Sequence, residues 1–198
     1  YFGKMPSMDE ASRHLKLDVS KKYILFFGQI KKDKGLDILI NALKDVNQNI
    51  HLIIAGKNTD SDFLSYKKLI KNNGIEDRVI VKNYFISNTE MKNLFSCSSA
   101  IILPYKKIYQ SAVILMSMSL NLPVISSDLE PIKEVICNNE DGITFSSENS
   151  IDLAEKINTT VVDENLLKKI SANAMNKIKN QFDWNVISSQ YAELIDKL

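Results

Sequence analysis

The stretch KKYILFFGQIKKDKGLD, Lys21 to Asp37, decides how the rest of the chain is read. Its apolar run, Tyr23 to Phe27, has the length and side-chain types of a buried strand and stops at Gly28. Leu36, Leu39, Ile40 and Leu43 follow at helical spacing. Between them Lys31, Lys32 and Lys34, with Asp33, crowd in before Gly35. A strand, a short charged loop and a helix in such close succession form the repeating unit of an α/β chain. Three lysines in that loop have two explanations: a solvated surface, or contacts to an anion. Taken alone, surface charge is the commoner of the two.

The same unit recurs along the chain. IHLIIAG, Ile50 to Gly56, is a second strand with a glycine stop, and Phe63, Tyr66, Leu69 and Ile70 mark a helix that ends at Asn73-Gly74. RVIVKNY, beginning at Arg78, is a third strand. SNTEMKNLF has a capping-type start before Met91, Leu94 and Phe95. AIILP is a fourth strand. SAVILMSMSL is apolar on all sides and reads as a buried helix, with Ser111 as its N-cap. LPVISSD and GITF supply two further strands around a short helix, EPIKEVI. Asp128 and Glu134 read there as an N-cap and a first-turn carboxylate. The remainder is helical, closing on the stripe Ile187, Tyr191, Leu194, Leu198, expected to pack. The fold expected is α/β: a Rossmann-like parallel sheet of about six strands, helices on both faces and extra C-terminal helices, in a single domain over residues 1–198.

Bulk properties narrow the functional classes. The chain has 198 residues, 44% hydrophobic and 25% charged, with a formal net charge of +1. That charge offers no global field for nucleic acid or acidic membrane, so any anion recognition is local. Cys97 and Cys137 share no metal or redox spacing, and a reducing, cytoplasmic setting is expected. No metal-ligand cluster, nucleophile elbow or phosphate-binding glycine motif is present.

In an open parallel sheet, ligands bind beyond the carboxyl ends of the strands. Three stretches fall there: Gly28 to Gly35, Asn83 to Asn88, and Tyr105 to Ala112, YKKIYQSA. Lys34-Gly35 opens one helix and Ser111 another, and helix starts favour anions. Two such sites on one sheet edge suit a shared phosphate or diphosphate.

The ordered set FFGQIKKDKGLDILINAL, HLIIAG, YFISNTEMKNLFSCSSAIILPY, YQSAVILMSMSLNLPVISSDLEPIKEVI and DGITF resembles glycosyltransferase family 4 of the GT-B fold, in its C-terminal, donor-binding domain. The resemblance covers nearly the whole chain. It implies a retaining glycosyltransferase that moves a hexose from a nucleoside diphosphate sugar, of UDP or GDP type, to a glycan or lipid-linked acceptor, without a metal or other cofactor. By the resemblance, Gly28 lies near the reacting sugar, and Lys34 and Lys31 hold the diphosphate and act in catalysis. Ser111 and Ala112 meet the distal phosphate, and Tyr84, Phe85 and Ile86 border the nucleobase. Glu134 faces the donor cleft. The family's Glu-x7-Glu pair is replaced by Ile108 and Met116, and a methionine is no acceptor for a ribose hydroxyl: either Gln110 and its neighbours take over, or donor binding is altered or lost. Gln29 stands where many members carry arginine. The family's N-terminal acceptor-binding domain has no match here, so the chain is expected to be inactive alone and to reach a membrane only peripherally, through that domain. A fold retained for protein interaction alone is the alternative reading.

Overall fold

The computed structural model describes residues 3–59 and 63–195. Its core is one parallel sheet of six strands: β1 (Lys22–Phe27), β2 (Ile50–Ala55), β3 (Val79–Lys82), β4 (Ala100–Leu103), β5 (Val124–Ser127) and β6 (Ile143–Phe145), in the order β3-β2-β1-β4-β5-β6. The order reverses between β1 and β4. Chain direction along the sheet changes there, and a crevice opens at the carboxyl ends.

Alternation along β1 separates two apolar layers. Ile24 and Phe26 face Leu36, Leu39 and Leu43 of α2 (Leu36–Leu43), together with Ile70 of α3 (Phe63–Asn72) and Leu153 and Ile157 of α7 (Ser150–Val162). Tyr23 and Leu25 face the other layer. It is built from Ala11 of α1 (Met8–Leu15), Leu94 and Phe95 of α4 (Asn88–Cys97), Ile114 and Met118 of α5 (Ala112–Ser119) and Ile132 of α6 (Glu130–Lys133). Every residue of β4 is buried, as a central parallel strand covered on both faces requires. Helix starts follow local chemistry. Ser7 and Glu10 close a capping box on α1, and the Ser87 hydroxyl accepts the Glu90 amide at 3.2 Å to start α4. α8 (Glu164–Lys177) is tied to the β5–β6 connection by Lys177, whose Nζ donates to Asp141 Oδ2 at 2.7 Å and to the Val135 carbonyl at 2.6 Å.

Several expectations are corrected. Arg78 does not open β3; it lies in a one-turn 3₁₀ helix, Glu76–Arg78, and is 3% exposed. Its guanidinium donates to the carbonyls of Leu43, Val46, Asn47 and Ile50, which draws on its full fork of donors, while its backbone amide closes the turn on the Ile75 carbonyl at 3.0 Å. α5 is not buried all round: Ile114, Ser117 and Met118 are, while Ala112 is exposed and Leu115 half-buried. Asp128 caps nothing. Its Oδ1 accepts the Ser147 amide at 2.8 Å, so it braces the loop after β6. Glu134 follows the last turn of α6 instead of occupying the first. The final helix, α9 (Trp184–Ile195), has no buried residue: Ile187 is half-buried, but Tyr191 is 64% and Leu194 58% exposed, so most of the described stripe faces outward. Leu198 lies outside the described residues.

Candidate functional site: an anion crevice at the switch point

β1 ends on Gly28, whose φ of 114° is one that a side chain disfavours. The loop that follows folds into a 3₁₀ turn, Lys32–Lys34, closed by Gly35 at φ 67°. A Cβ on Gly35 would stand 1.8 Å from the Pro104 carbonyl oxygen. Only glycine permits this approach, which presses the loop after β1 against the end of β4. Hydrogen bonds complete the join. The Lys106 amide donates to the Asp33 carbonyl at 2.9 Å, and Lys106 Nζ meets Asp37 Oδ2 at 2.7 Å. Lys106 is therefore neutralised by Asp37 and is no free anion contact, although it lies in the loop that leads to the Ser111 helix start.

Tyr105 is the pivot of the crevice, and the sequence reading placed it in the loop without a role. It is 2% exposed; its carbonyl accepts the Ser127 hydroxyl at 2.7 Å, and its own hydroxyl pairs with Ser111 Oγ at 3.1 Å. Lys34 Nζ stands 4.1 Å from the centre of its ring, a cation–π contact. Lys34 has no carboxylate within salt-bridge distance among the described residues. Burial first, and then the Lys31 charge, push its ammonium below the ordinary lysine value. A half-buried cation without a counter-ion is a standing attraction for an anion. Lys31 is exposed beside it.

The Ser111 hydroxyl is thus engaged sideways by Tyr105 and does not cap α5, although Ser111 occupies the N-cap position. The amides of Ala112 and Val113 are left pointing out of the helix start. They lie opposite β1: a Cβ built on Gly28 would come 3.9 Å from Val113 Cγ2. A second hollow of about 430 Å³ adjoins them, and Gln110, Ser111, Ala112 and Glu134 all line it. The structure therefore brings Gly28, Lys34, Ser111 and Ala112 into one crevice, with Gln110 and Glu134 at its side.

Tyr84, Phe85 and Ile86 stand apart from this group. They follow β3, two strands from β1, which at ordinary sheet spacing is roughly 10 Å away. The Tyr84 hydroxyl donates to Glu90 Oε1 at 2.7 Å, Phe85 is 83% exposed, and Ile86 is half-buried against α4's layer. Such an aromatic edge could border a flat ring, but the Tyr84 hydroxyl is already committed. Ile108 and Met116 both pack partly against the second apolar layer. No group of three or more His, Cys, Asp or Glu among the described residues could hold a metal, and no helix there is long and apolar enough to cross a membrane.

A Rossmann-type sheet with an unpaired lysine and bare helix-start amides at its switch point defines a nucleotide- or phosphate-binding class of domain. Residues 7–177 match the family model of glycosyl transferases group 1, and the chain belongs to that family. An uncharacterised glycosyltransferase of Methanocaldococcus jannaschii is 24% identical over 182 residues, covering 90% of this chain and 45% of the relative. The chain spans about half the length of the curated relatives it matches. The HepE protein of Anabaena, solved in complex with UDP, superposes with a TM-score of 0.87 at 21% identity, over 96% of this chain and 52% of that one. The C-terminal domain of a group 1 glycosyl transferase from Francisella tularensis superposes with a TM-score of 0.81 at 20% identity, over 92% of this chain and 96% of that one. The fold is that of one Rossmann-like half of the GT-B architecture.

Proposed function

We propose that this chain is the donor-binding domain of a retaining glycosyltransferase that transfers a hexose from a nucleoside diphosphate sugar to a glycan or lipid-linked acceptor. One observation carries the reading. The loops after β1 and β4 are clamped together, and the clamp stacks an uncompensated Lys34 over Tyr105, whose hydroxyl holds the start of α5. In this reading the diphosphate is held by the Lys34 ammonium and the amides of Ala112 and Val113. As the bond from sugar to phosphate breaks, negative charge grows on the leaving diphosphate. Lys34, the amides and, from the surface, Lys31 stabilise that charge where it develops. No metal is required in this scheme. Tyr84, Phe85 and Ile86 take the base, and Gln110 and Glu134 take sugar or ribose hydroxyls. An N-terminal acceptor-binding domain completes the enzyme in the cytoplasm, with peripheral contact to the membrane, and the isolated chain transfers no sugar.

Calorimetry of the full-length protein with UDP and GDP tests this. Binding of either, lost together with sugar transfer in Lys34→Ala, is the expected result. The absence of heat and of a melting shift at millimolar nucleotide would instead favour the second reading, a non-catalytic interaction domain. That reading draws on Ile108 and Met116, hydrocarbon side chains packed partly against the second apolar layer at the two positions where the family's carboxylate pair would bind hydroxyls.

A further inference from the structure

We propose that the hollow between α5 and α6 receives the glycosyl group of the donor and selects a 6-deoxyhexose, a sugar with a methyl group where a common hexose carries a hydroxymethyl. The proposal rests on the donor-binding reading above and goes beyond it in naming the sugar class. Continuity places the sugar there. Ser111 belongs both to the crevice, through Tyr105, and to the lining of the hollow, so a group attached to the diphosphate at the α5 start enters it directly. Its volume of about 430 Å³ lies within the range of small-molecule sites, roughly 300–1,000 Å³.

Chemistry then selects the occupant. The floor is Ile114, 2% exposed, and Ile132, 1% exposed; Leu115, Val135 and Phe182 form the sides. Phe182 is delivered by a π-helical turn, Ile178–Phe182, that continues α8 and ends at the extended Asp183 ahead of α9. Polar side chains occur only at the solvent margin, where Tyr109, Gln110 and Glu134 are exposed, and at the Ser111 entrance. Ring hydroxyls on the margin side can meet Gln110 and Glu134. A hydroxymethyl directed at the floor would lose its water and gain no partner, whereas a methyl fills the same space favourably. Apolar pockets discriminate moderately against an added hydroxyl, so the expected preference is about tenfold.

The test uses the full-length protein and three matched pairs: UDP-glucose with UDP-6-deoxyglucose, GDP-mannose with GDP-6-deoxymannose, and dTDP-glucose with dTDP-6-deoxyglucose, alongside the bare diphosphates. For the base that binds, the deoxy donor is expected to bind about tenfold more tightly than its partner. Phe182→Tyr and Leu115→Gln, each checked for an intact melting transition, are expected to narrow the ratio to about threefold or less, because each supplies a hydroxyl partner. Binding of the bare diphosphate with equal affinity for the two sugars overturns this proposal and leaves the donor-binding reading standing. So does an undiminished ratio in both variants. Failure of every diphosphate to bind overturns both.

Discussion

Two cations sit at opposite ends of the sheet and serve opposite purposes. Arg78, at the amino end beside the starts of β2 and β3, is buried and donates to four backbone carbonyls and to Gln48 Oε1. Lys34, at the carboxyl end, is half-buried over an aromatic face and has no carboxylate within salt-bridge distance among the described residues. Burial depresses the pKa of both. For Arg78 the protein itself supplies the compensating dipoles, and the charge holds the fold. For Lys34 it supplies only the Tyr105 ring face and the Asp33 charge, which leaves the ammonium open to a ligand. The cavities carry the same lesson. The hollow at the amino end, about 510 Å³, is the larger, but its Lys22 already reaches the Val161 carbonyl at 3.1 Å and lies 3.8 Å from Glu164. Hollow volume is a poorer guide to a site than donors and charges left without partners.

Exchanging the two roles by mutation would break the comparison. Arg78→Ala is expected to have the largest effect on the fold, about 3 kcal/mol or more, because the buried guanidinium that ties together the carbonyls of Leu43, Val46, Asn47 and Ile50 is lost and a cavity is left in its place. In thermal melts of a chain this size that is a drop of roughly 6–12 °C. Nucleotide affinity of the folded fraction should be unchanged; a loss of affinity there would mean that the two ends are coupled. Lys34→Ala should do the reverse. It should lower nucleotide affinity about 10- to 100-fold by calorimetry, the worth of a charged hydrogen bond or two. Its melting temperature should hold or rise, since an uncompensated charge is removed.

A pH series sharpens the contrast. The folded-state pKa of Lys34 lies below the ordinary 10.5. Between those two values the unfolded chain holds more protons than the native one, so Lys34's contribution to stability rises with pH across that window. Anion affinity should move the other way, constant below the folded pKa and falling as pH rises through it. Lys34→Arg should abolish the fall, because arginine keeps its charge; an equal fall in that variant would assign it to another group. Lys31→Ala is expected to be the mildest change, less than about fivefold in affinity, because an exposed charge is screened by water and salt.

The alternation of strands and helices, the glycine stops and the anion-suited loops were legible in the sequence because they depend on neighbours a few residues apart. Lys34 could be placed at a strand's carboxyl end for that reason. Arg78 could not be recognised as a buried anchor, since its acceptors lie some 28 to 35 positions away. Nor could the Ser111 hydroxyl be seen turning from its own helix to Tyr105. Lys106 and Lys34 look alike in sequence, and only the fold sets Asp37, 69 positions off, against the first and an aromatic ring against the second.

The sequence by itself determined the class of fold and the loops in which chemistry resides, since apolar periodicity and glycine placement act locally. The tertiary structure alone decided which of several similar lysines stays unpaired, and which apolar side chains line the hollow beside it. Charge compensation and desolvation depend on what stands within a few ångströms in space, and the chain order does not record that distance.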